Sequence, residues 1–391
     1  MNNSWLKNKS VEARDNVVSV GGKYFFLHQN NSGQRQCEYF FGGKKVEPEN
    51  IRNFKDNIEL NKKLSDKYTF KYCHLICESK VSGHSDILKK EFNLDTYTLI
   101  SDFMVDSCVV APKLSPDDFF ITDSHSHSIG SIKHIQSVLD QIGVGKIEID
   151  NVSESIIPNF RGDLFSKLGL EQVDERRLDS VNGYTPGVNL FNISKYLNGN
   201  TGNIQSCYNK NAIVKGRLVT FGDSFIGMNL RTWSLFFEEI IHFRIPYVDE
   251  AIVASLKPDF VVTSNTERYL TSVPNATKNK MPFFFDTLMN LKEGLGDREK
   301  VIFRNLFYKN RADYMEYLSS LLYLKNNDDI KELTVYDFDA SRVDEIRDYA
   351  IGIESDDIST SLHLMLIAKH FRPDGIYINN KISEYKLKLG V

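Results

Sequence analysis

The alternation of apolar and polar residues is clearest between residues 216 and 265. Three apolar runs typical of buried strands alternate there with two helical patterns. In chain order these segments are "GRLVTF" (216–221), "SFIGMNLRTWSLFFEEI" (224–240), "IIHFRI" (240–245), "VDEAIVASLKP" (248–258) and "DFVVTSN" (259–265). A β-α-β-α-β order is typical of a parallel sheet wound with helices on both faces. The predicted fold class is therefore α/β, with a doubly wound parallel sheet flanked by helices.

The N-terminal half carries the same pattern in weaker form. "PENIRNFKDNIELNKKLSDKY" (48–68) has apolar residues at helical spacing, and "TFKYCHLICES" (69–79) is typical of a buried strand. Short strands with glycine turns are predicted within residues 17–43, and an amphipathic helix over residues 130–143. These segments extend the α/β pattern toward the N-terminus.

The pattern changes twice more along the chain. Between about 150 and 215 it weakens among many Asn, Gly and Ser residues, which predicts a loop-rich insertion. Beyond 296 helical patterns dominate, and the last of them resembles the end of a tetratricopeptide-type array, without a convincing repeat. We therefore predict one α/β domain over 1–296 and a helical C-terminal module over 297–391.

Composition and charge narrow the class of protein. Hydrophobic residues make up 41% and charged residues 26% of the 391 residues, which is typical of a folded protein. The net charge of −4 comes without a basic cluster, so nucleic acid is not an expected partner. The five cysteines are scattered and odd in number, which favours reduced, partly buried thiols.

Targeting signals are not evident in the N-terminal residues. They lack the apolar core of a signal peptide, and no run approaches the roughly 20 apolar residues of a membrane span. The sequence predicts a cytoplasmic protein without a membrane span, or a periplasmic one if a leader has been removed.

The first candidate for chemistry is Ser224, in the stretch "VTFGDSFIGMNL" (219–230). It follows a predicted parallel strand and opens a predicted helix, at the sheet edge where such folds place their sites. The alternative is an ordinary helix N-cap, a very common use of serine. A serine nucleophile needs a general base, which has to come from elsewhere in the chain.

The second candidate is the pair Asp123 and His125 in "FFITDSHSHSIG" (119–130). If residues 123–125 are extended, both side chains point to the same side, and a carboxylate can then orient an imidazole. His127 is an alternative base, or a metal ligand beside His125. No third ligand of suitable spacing is evident, so a metal site ranks below a triad and no metal is predicted. A polar surface loop also remains open.

Five short motifs occur in one order and carry a resemblance. They are "GGKYFFL" (21–27), "CHLICESK" (73–80), "TDSHSHSIG" (122–130), "TFGDSF" (220–225) and "KPDFVVTSNTERYL" (257–270). This order resembles the SGNH-hydrolase-like domain of the alginate O-acetylation proteins and related polysaccharide O-acetyltransferases. The resemblance covers roughly residues 20–272. Ser126 and Tyr24 stand where that family has tryptophan, which changes the expected sugar contacts more than the triad.

The resemblance implies roles for individual residues. Ser224 becomes the acetyl-accepting nucleophile, His125 the general base and Asp123 the group that orients it. Asp223 is expected to shape the turn rather than react. Outside the triad, Asn265 is a candidate oxyanion donor, with Arg268 and His127 as further substrate contacts. An ion pair between Glu267 and Arg268 that ties down a loop explains those two residues equally well.

The resemblance also implies a reaction. We expect a carbohydrate (polysaccharide) O-acetyltransferase that works through an acetyl-serine intermediate. No cofactor is expected to stay bound, but an acetyl donor is needed, and acetyl-CoA is a reasonable one. The expected partners are a glycan acceptor and a polysaccharide-assembly protein docked on residues 297–391. Two alternatives are a carbohydrate acetylesterase with the same triad and a catalytically inert glycan-binding or scaffolding protein.

Overall fold

The computed structural model divides the chain into two compact units, Met1–Lys292 and Glu293–Val391. The residues it describes are 4–14, 16–29, 35–165, 173–278, 283–292, 294–309, 311–314, 317, 330–331, 333–338 and 340–391. The assignment of the two units as a catalytic domain over 1–296 and a docking module over 297–391 stays a prediction.

Regular elements account for most of the described chain. The strands are β1 (Val11–Arg14), β2 (Val17–Val20), β3 (Tyr24–Leu27), β4 (Lys71–Cys77), β5 (Val109–Val110), β6 (Val152–Phe160), β7 (Val173–Val181), β8 (Val188–Asn192), β9 (Ile204–Tyr208), β10 (Val214–Phe221), β11 (Phe237–Phe243) and β12 (Phe260–Thr266). The helices are α1 (Cys37–Phe40), α2 (Pro48–Tyr68), α3 (Lys80–Gly83), α4 (Ser85–Phe92), α5 (Ser128–Gln141), α6 (Ser224–Met228), α7 (Leu230–Phe236), α8 (Glu250–Leu256), α9 (Phe283–Asn290), α10 (Asp297–Tyr308), α11 (Val343–Ile353), α12 (Ile358–Phe371) and α13 (Ile376–Leu389).

A seven-stranded sheet forms the centre of the first unit, with the strand order β5-β4-β12-β10-β11-β9-β8. The first five strands in this order pair in parallel, whereas β9 and β8 add to the edge in antiparallel fashion. The predicted α/β class with a mostly parallel sheet and flanking helices is confirmed. Because β4, β12 and β10 are parallel neighbours, the residues that follow them meet at one sheet edge.

The core of this unit lies between the parallel strands and helices α5 and α7. Leu75 of β4, Leu218 of β10 and Val262 of β12 are completely buried, and Ile135 of α5 packs in the same cluster. Trp233 of α7 is 1% exposed and belongs to the same cluster. All five cysteines are buried and unpaired. Burial of long aliphatic side chains on both sides of a parallel sheet supplies the main stabilising free energy.

The prediction of a loop-rich insertion over about 150–215 was wrong, because this segment contains four strands. Strands β6 and β7 form a two-stranded antiparallel ribbon, and β8 and β9 extend the central sheet. Most residues of β6 are exposed or half-buried on both faces. β7 buries Leu178 and Val181 in the core, but at a spacing of three residues, so the ribbon lacks the period-two alternation by which strands are recognised. Residues 166–172 lie outside the described chain.

The single helix predicted over 224–240 is also interrupted. Helix α6 ends at Met228, Asn229 separates it from α7, and strand β11 begins already at Phe237. The Asn229 amide donates to the carbonyl oxygens of Ser126 and Phe225 at 3.1 and 3.2 Å. Through its side chain, Asn229 at the break therefore connects this helical segment to the loop that carries His125.

The second unit consists of helices in its described part. Helix α12 packs against both α11 and α13 around a buried cluster that includes Ile346, Leu364 and Tyr385. The helical pattern predicted beyond 296 begins with α10, which ends at Tyr308, and most of residues 310–329 lie outside the described residues. A tetratricopeptide-like array stays a prediction. Among the described residues, none of the helices combines the length and the apolar character that a bilayer crossing requires.

Candidate active site

A tight turn places Ser224 directly above the end of β10. Asp223 caps helix α6, with its Oδ1 accepting from the amide of Phe225 at 3.0 Å. The other oxygen, Oδ2, accepts from the amide and the hydroxyl of Thr266 at 2.6 and 2.7 Å. Asp223 thus holds the turn against the end of β12. The helix cap is Asp223, so Ser224 is free of the capping role and stands as the first helical residue.

Ser224 is hydrogen-bonded to a histidine that lies 99 positions earlier in the chain. Its Oγ is 2.7 Å from Nε2 of His125, and Nδ1 of His125 is 2.5 Å from Oδ1 of Asp123. An ionised carboxylate only accepts hydrogen bonds, so the ring hydrogen of a neutral His125 lies on Nδ1. The lone pair of Nε2 is then directed at the Ser224 hydroxyl. This is the arrangement that converts a serine into a nucleophile.

The three side chains differ in their exposure. Asp123 is 3% exposed and Ser224 is 9% exposed, so the hydroxyl is at the more accessible end of the chain of hydrogen bonds. Burial alone raises the pKa of the Asp123 carboxyl. The hydrogen bond and the charge of His125 outweigh that effect and hold the pKa well below its usual range. Asp123 is therefore an anion that stabilises positive charge on the imidazole.

Residues 161–164, which follow β6, form hydrogen bonds with the loop that carries Asp123. The amide of Asp163 donates to Oδ2 of Asp123 at 2.8 Å. The Asp163 carboxylate accepts from the amide and the hydroxyl of Ser124 at 2.7 and 2.6 Å. A Cβ on Gly162 would lie 2.3 Å from the Thr122 carbonyl oxygen, so glycine is needed for this close approach. The segment predicted as an insertion thus supplies a wall of the site.

Asp163 also completes a group of potential metal ligands. One ligand atom each of Asp123, His125 and Asp163 lies within 4.8 Å of the others. A third potential ligand, which was not evident in the sequence, is therefore present. However, both Asp163 oxygens accept from Ser124, and the Asp123 oxygens accept from His125 and from the Asp163 amide. These hydrogen bonds fit a triad better than a cation site.

A buried lysine at the start of α3 fixes the other side of the same loop. Nζ of Lys80 donates to the carbonyl oxygens of Phe120, Ile121 and Asp123 at 2.7, 2.8 and 3.0 Å. Burial lowers the pKa of Lys80 to about 8, although nearby carboxylates, Asp123 first among them, act in the opposite direction. The lysine is a positioning residue that orients the backbone around Asp123. Its role was missed in the sequence, although it ends the "CHLICESK" motif.

The structure does not bring His127 to the serine. Its Nδ1 accepts from the amide of Ile129 at 3.0 Å and caps helix α5, and its Nε2 donates to the carbonyl oxygen of Asp117. Both ring nitrogens are therefore used within the loop. Of the two histidines in "SHSHS", only His125 contacts Ser224.

Arg268 and Glu267 have separate partners rather than each other. Glu267 is fully buried and accepts from the Leu99 amide at 2.7 Å and the Ser79 amide at 3.0 Å. Arg268 donates from Nη1 to Oγ of Ser124 at 3.1 Å. The ion pair considered from the sequence is therefore wrong. Glu267 connects the segments that contain Ser79 and Leu99, and Arg268 contacts the loop that carries Asp123 and His125.

A cavity of about 550 Å³ opens beside the nucleophile turn. Gly222 and Asp223 form part of its wall, and Asn265, Tyr269 and Arg244 line it as well. The structure therefore places the predicted oxyanion candidate Asn265 next to the residues that precede Ser224. Arg244 was not singled out in the sequence, where it appeared only as the polar end of a strand.

A second buried acid, Glu78, follows β4 at the same sheet edge and gives a stability prediction. Burial raises the pKa of Glu78 to about 7. Between pH 4.5 and 7 the folded protein therefore holds a proton that the unfolded chain has lost, and stability falls as the pH rises. Glu78→Gln removes this penalty and can still accept from the Leu114 amide, which now lies 2.6 Å from Oε2. We expect it to raise the free energy of unfolding by about 2 kcal/mol at pH 8.

Urea unfolding of wild type and Glu78→Gln at pH 5 and pH 8 measures this effect. The gain should be present at pH 8 and small at pH 5. The matched control is Glu59→Gln on α2, whose side chain is exposed. A gain of equal size at both pH values would contradict a role for the Glu78 charge.

Comparisons with known proteins give structural likenesses only. No protein-family model matches the chain, and no curated protein sequence matches it significantly. Similar solved structures include Bacillus cereus PatB1 with a sulfonyl adduct (12% identity, TM-score 0.48, covering 66% of this chain and 95% of that chain). They also include a DHHW family protein from Eubacterium siraeum DSM 15702 (13%, 0.45, 69% and 97%). A third is the O-acetyltransferase domain of Pseudomonas putida AlgJ (15%, 0.38, 70% and 99%).

Proposed function

We propose that this protein is a carbohydrate O-acetyltransferase that forms an acetyl-serine intermediate on Ser224. The observation that carries the proposal is the continuous chain of hydrogen bonds from Asp123 through His125 to Ser224, with distances of 2.5 and 2.7 Å. These residues come from two distant segments. A polar surface loop and an ordinary helix start have no chemical need to meet in this geometry, whereas a serine nucleophile does.

The first half of the reaction transfers the acetyl group to the protein. Nε2 of His125 takes the proton of the Ser224 hydroxyl while Oγ attacks the acetyl carbonyl carbon of the donor. The tetrahedral intermediate collapses, the bond to the leaving group breaks, and His125 returns the proton to the leaving group. Asp123 stabilises the imidazolium throughout, because its carboxylate stays ionised.

The second half transfers the acetyl group to a sugar. A sugar hydroxyl gives its proton to Nε2 of His125 and attacks the acetyl-serine carbonyl, and the proton then returns to Oγ of Ser224. The oxyanion of each half needs donors, for which we assign the amide of Ser224 and the side chain of Asn265 on the cavity wall. When water takes the place of the sugar, the same residues act as an acetylesterase.

The glycan acceptor in this proposal rests on the order of the five sequence motifs, which resembles polysaccharide O-acetyltransferases. The acceptor is a glycan hydroxyl, and acetyl-CoA is taken as the donor. Residues 297–391 are proposed to dock on a polysaccharide-assembly protein. Exposed apolar side chains in that unit are suited to such a contact, among them Ile376 and Leu387 at 78% and 83% exposure.

The test is a search for the acetyl-serine. Purified protein is incubated with 4-nitrophenyl acetate, and the intact mass and the modified peptide are then measured by mass spectrometry. We expect one acetyl group on Ser224, which is absent in Ser224→Ala. Ser131→Ala on α5 is the matched control, since this buried hydroxyl has no hydrogen-bond partner among the described residues. It should acetylate like wild type.

Two outcomes would contradict the proposal. A folded wild type with neither adduct nor ester turnover would favour the inert glycan-binding alternative. An adduct that persists in Ser224→Ala would place the reaction on another residue. Once the adduct is found, adding candidate glycans separates transfer to sugar from hydrolysis.

A further inference from the structure

The cavity beside the nucleophile turn contains a positive charge that the proposed reaction does not use. Arg244 follows β11 and lines the cavity together with Asn265 and Tyr269. Its backbone is fixed on one side, because its amide donates to the carbonyl oxygen of Asn203 at 2.9 Å. The cavity volume of about 550 Å³ is sufficient for a sugar residue or a comparable group.

The Arg244 guanidinium has no carboxylate within ion-pair distance among the residues that the structure describes. The carboxylate with the strongest electrostatic influence on it is that of Asp223. Asp223 is already committed, because its two oxygens accept from Phe225 and Thr266. Arg244 is half-buried, and an arginine withdrawn from water is normally paired, since desolvating its charge costs free energy. The fold therefore keeps an uncompensated cation here.

Other groups in the cavity fit the same kind of ligand. Ser264 is 2% exposed, and its hydroxyl has no hydrogen-bond partner among the described residues. Arg268 lies next to a residue of the cavity wall, with its guanidinium carbon 5.2 Å from the centre of the Tyr269 ring. It adds a second positive charge that acts on Arg244. The positive charges thus outnumber the single lining carboxylate, which is internally hydrogen-bonded.

We propose that this cavity is an anion subsite in which Arg244 binds an anionic oxygen group, a carboxylate or a phosphate, of a substrate that reacts at Ser224. A planar guanidinium binds either group through two parallel hydrogen bonds, which fixes orientation as well as supplying affinity. The inference rests on the proposed function for the reaction. The anionic group belongs either to an acidic sugar of the acceptor or to the phosphates of a CoA-type donor.

Direct binding distinguishes these two sources without any turnover. Isothermal titration at low salt compares trigalacturonic acid with the neutral cellotriose, and CoA with the neutral pantetheine. We expect wild type to bind one anionic probe at least about tenfold more tightly than its neutral counterpart, a preference typical of one charged hydrogen-bonded pair. Preference for trigalacturonic acid assigns the subsite to the acceptor, and preference for CoA assigns it to the donor.

The variants test the residue itself. Arg244→Gln should lose the preference for the anionic probe. Arg244→Lys should retain part of it, because lysine keeps the positive charge but lacks the paired N–H donors of the guanidinium. Arg52→Gln, at an exposed position of α2, is the matched control and should bind like wild type. Thermal unfolding of each variant shows that the fold is kept.

Two results would overturn the inference. One is a folded wild type that binds neither anionic probe more tightly than its neutral counterpart. The other is a preference that survives in Arg244→Gln. Failure of the proposed function looks different, since no acetyl group would appear on Ser224 while anion binding still depended on Arg244.

Discussion

Replacing His125 with alanine is expected to lower the turnover of 4-nitrophenyl acetate by a factor of about 10³ or more. The reason is that Nε2 of His125 lies 2.7 Å from Oγ of Ser224 and is positioned to take its proton. Without it the hydroxyl stays protonated at neutral pH and attacks slowly. Ser224→Ala removes the nucleophile and should cost a similar factor. Steady-state rates of ester cleavage measure both effects.

A double variant tests whether Ser224 and His125 act together in the same step. Because the two residues act as one unit, Ser224→Ala combined with His125→Ala should be hardly slower than either single variant. His127→Asn is the matched control, since an asparagine can still cap helix α5 through the Ile129 amide. It should retain turnover. Loss of turnover in His127→Asn with full activity in His125→Ala would reverse the assignment of the base.

Most parallel strands of the sheet could be predicted because apolar residues cluster within them. Strands β10 and β12 are buried along nearly their whole length, and each contains a short apolar run, "LV" in β10 and "FVV" in β12. Strand β11 was harder, since "EEIIHF" contains two acids in a row. Glu239 is tolerated there only because Arg217 on β10 pairs with it at 2.8 and 3.0 Å. That partner is 22 residues distant, and no local pattern reveals it.

The edge of the sheet and the exposed ribbon could not be predicted for a different reason. β8 is a short edge strand and β9 lies between it and β11, whereas β6 and β7 pair only with each other, and most of β6 is exposed or half-buried. Their buried residues do not alternate regularly with polar ones: β9 is buried at four of its five positions, and β7 buries Leu178 and Val181 three residues apart. Asn and Ser are common in such positions as well as in loops, so composition alone predicted loops.

Some residues of the site could be predicted from sequence motifs, whereas others became evident only in the folded structure. Asp123, His125 and Ser224 could be proposed as a group because each has a chemical role that demands its residue type. Lys80 and Asp163 act largely on backbone carbonyl oxygens and amides, which every residue possesses. Contacts of this kind leave no signature in the partner sequence. They become visible only when the folded segments are brought together.

The absence of a side chain at Gly222 is expected to be required for both the stability and the activity of this site. A Cβ at this position would lie 2.0 Å from Oγ and 2.9 Å from the carbonyl oxygen of Ser264. Strands β10 and β12 would have to separate where Ser224 is held. We expect Gly222→Ala to lower the free energy of unfolding by about 2–4 kcal/mol. Ester turnover should fall by about 10²-fold, because Ser224 would shift relative to His125.

Urea unfolding and ester turnover of three variants test whether the loss comes from the clash at Gly222 or from any Gly→Ala substitution. Adding Ser264→Ala to Gly222→Ala removes the nearest atom and should restore part of the stability, but not all, because the carbonyl oxygen remains. Gly294→Ala is the matched control, since its Cβ would meet no atom within 4 Å. It should change stability by less than about 0.5 kcal/mol. If Gly222→Ala were as stable and active as wild type, the close contact between β10 and β12 would not be what positions the nucleophile.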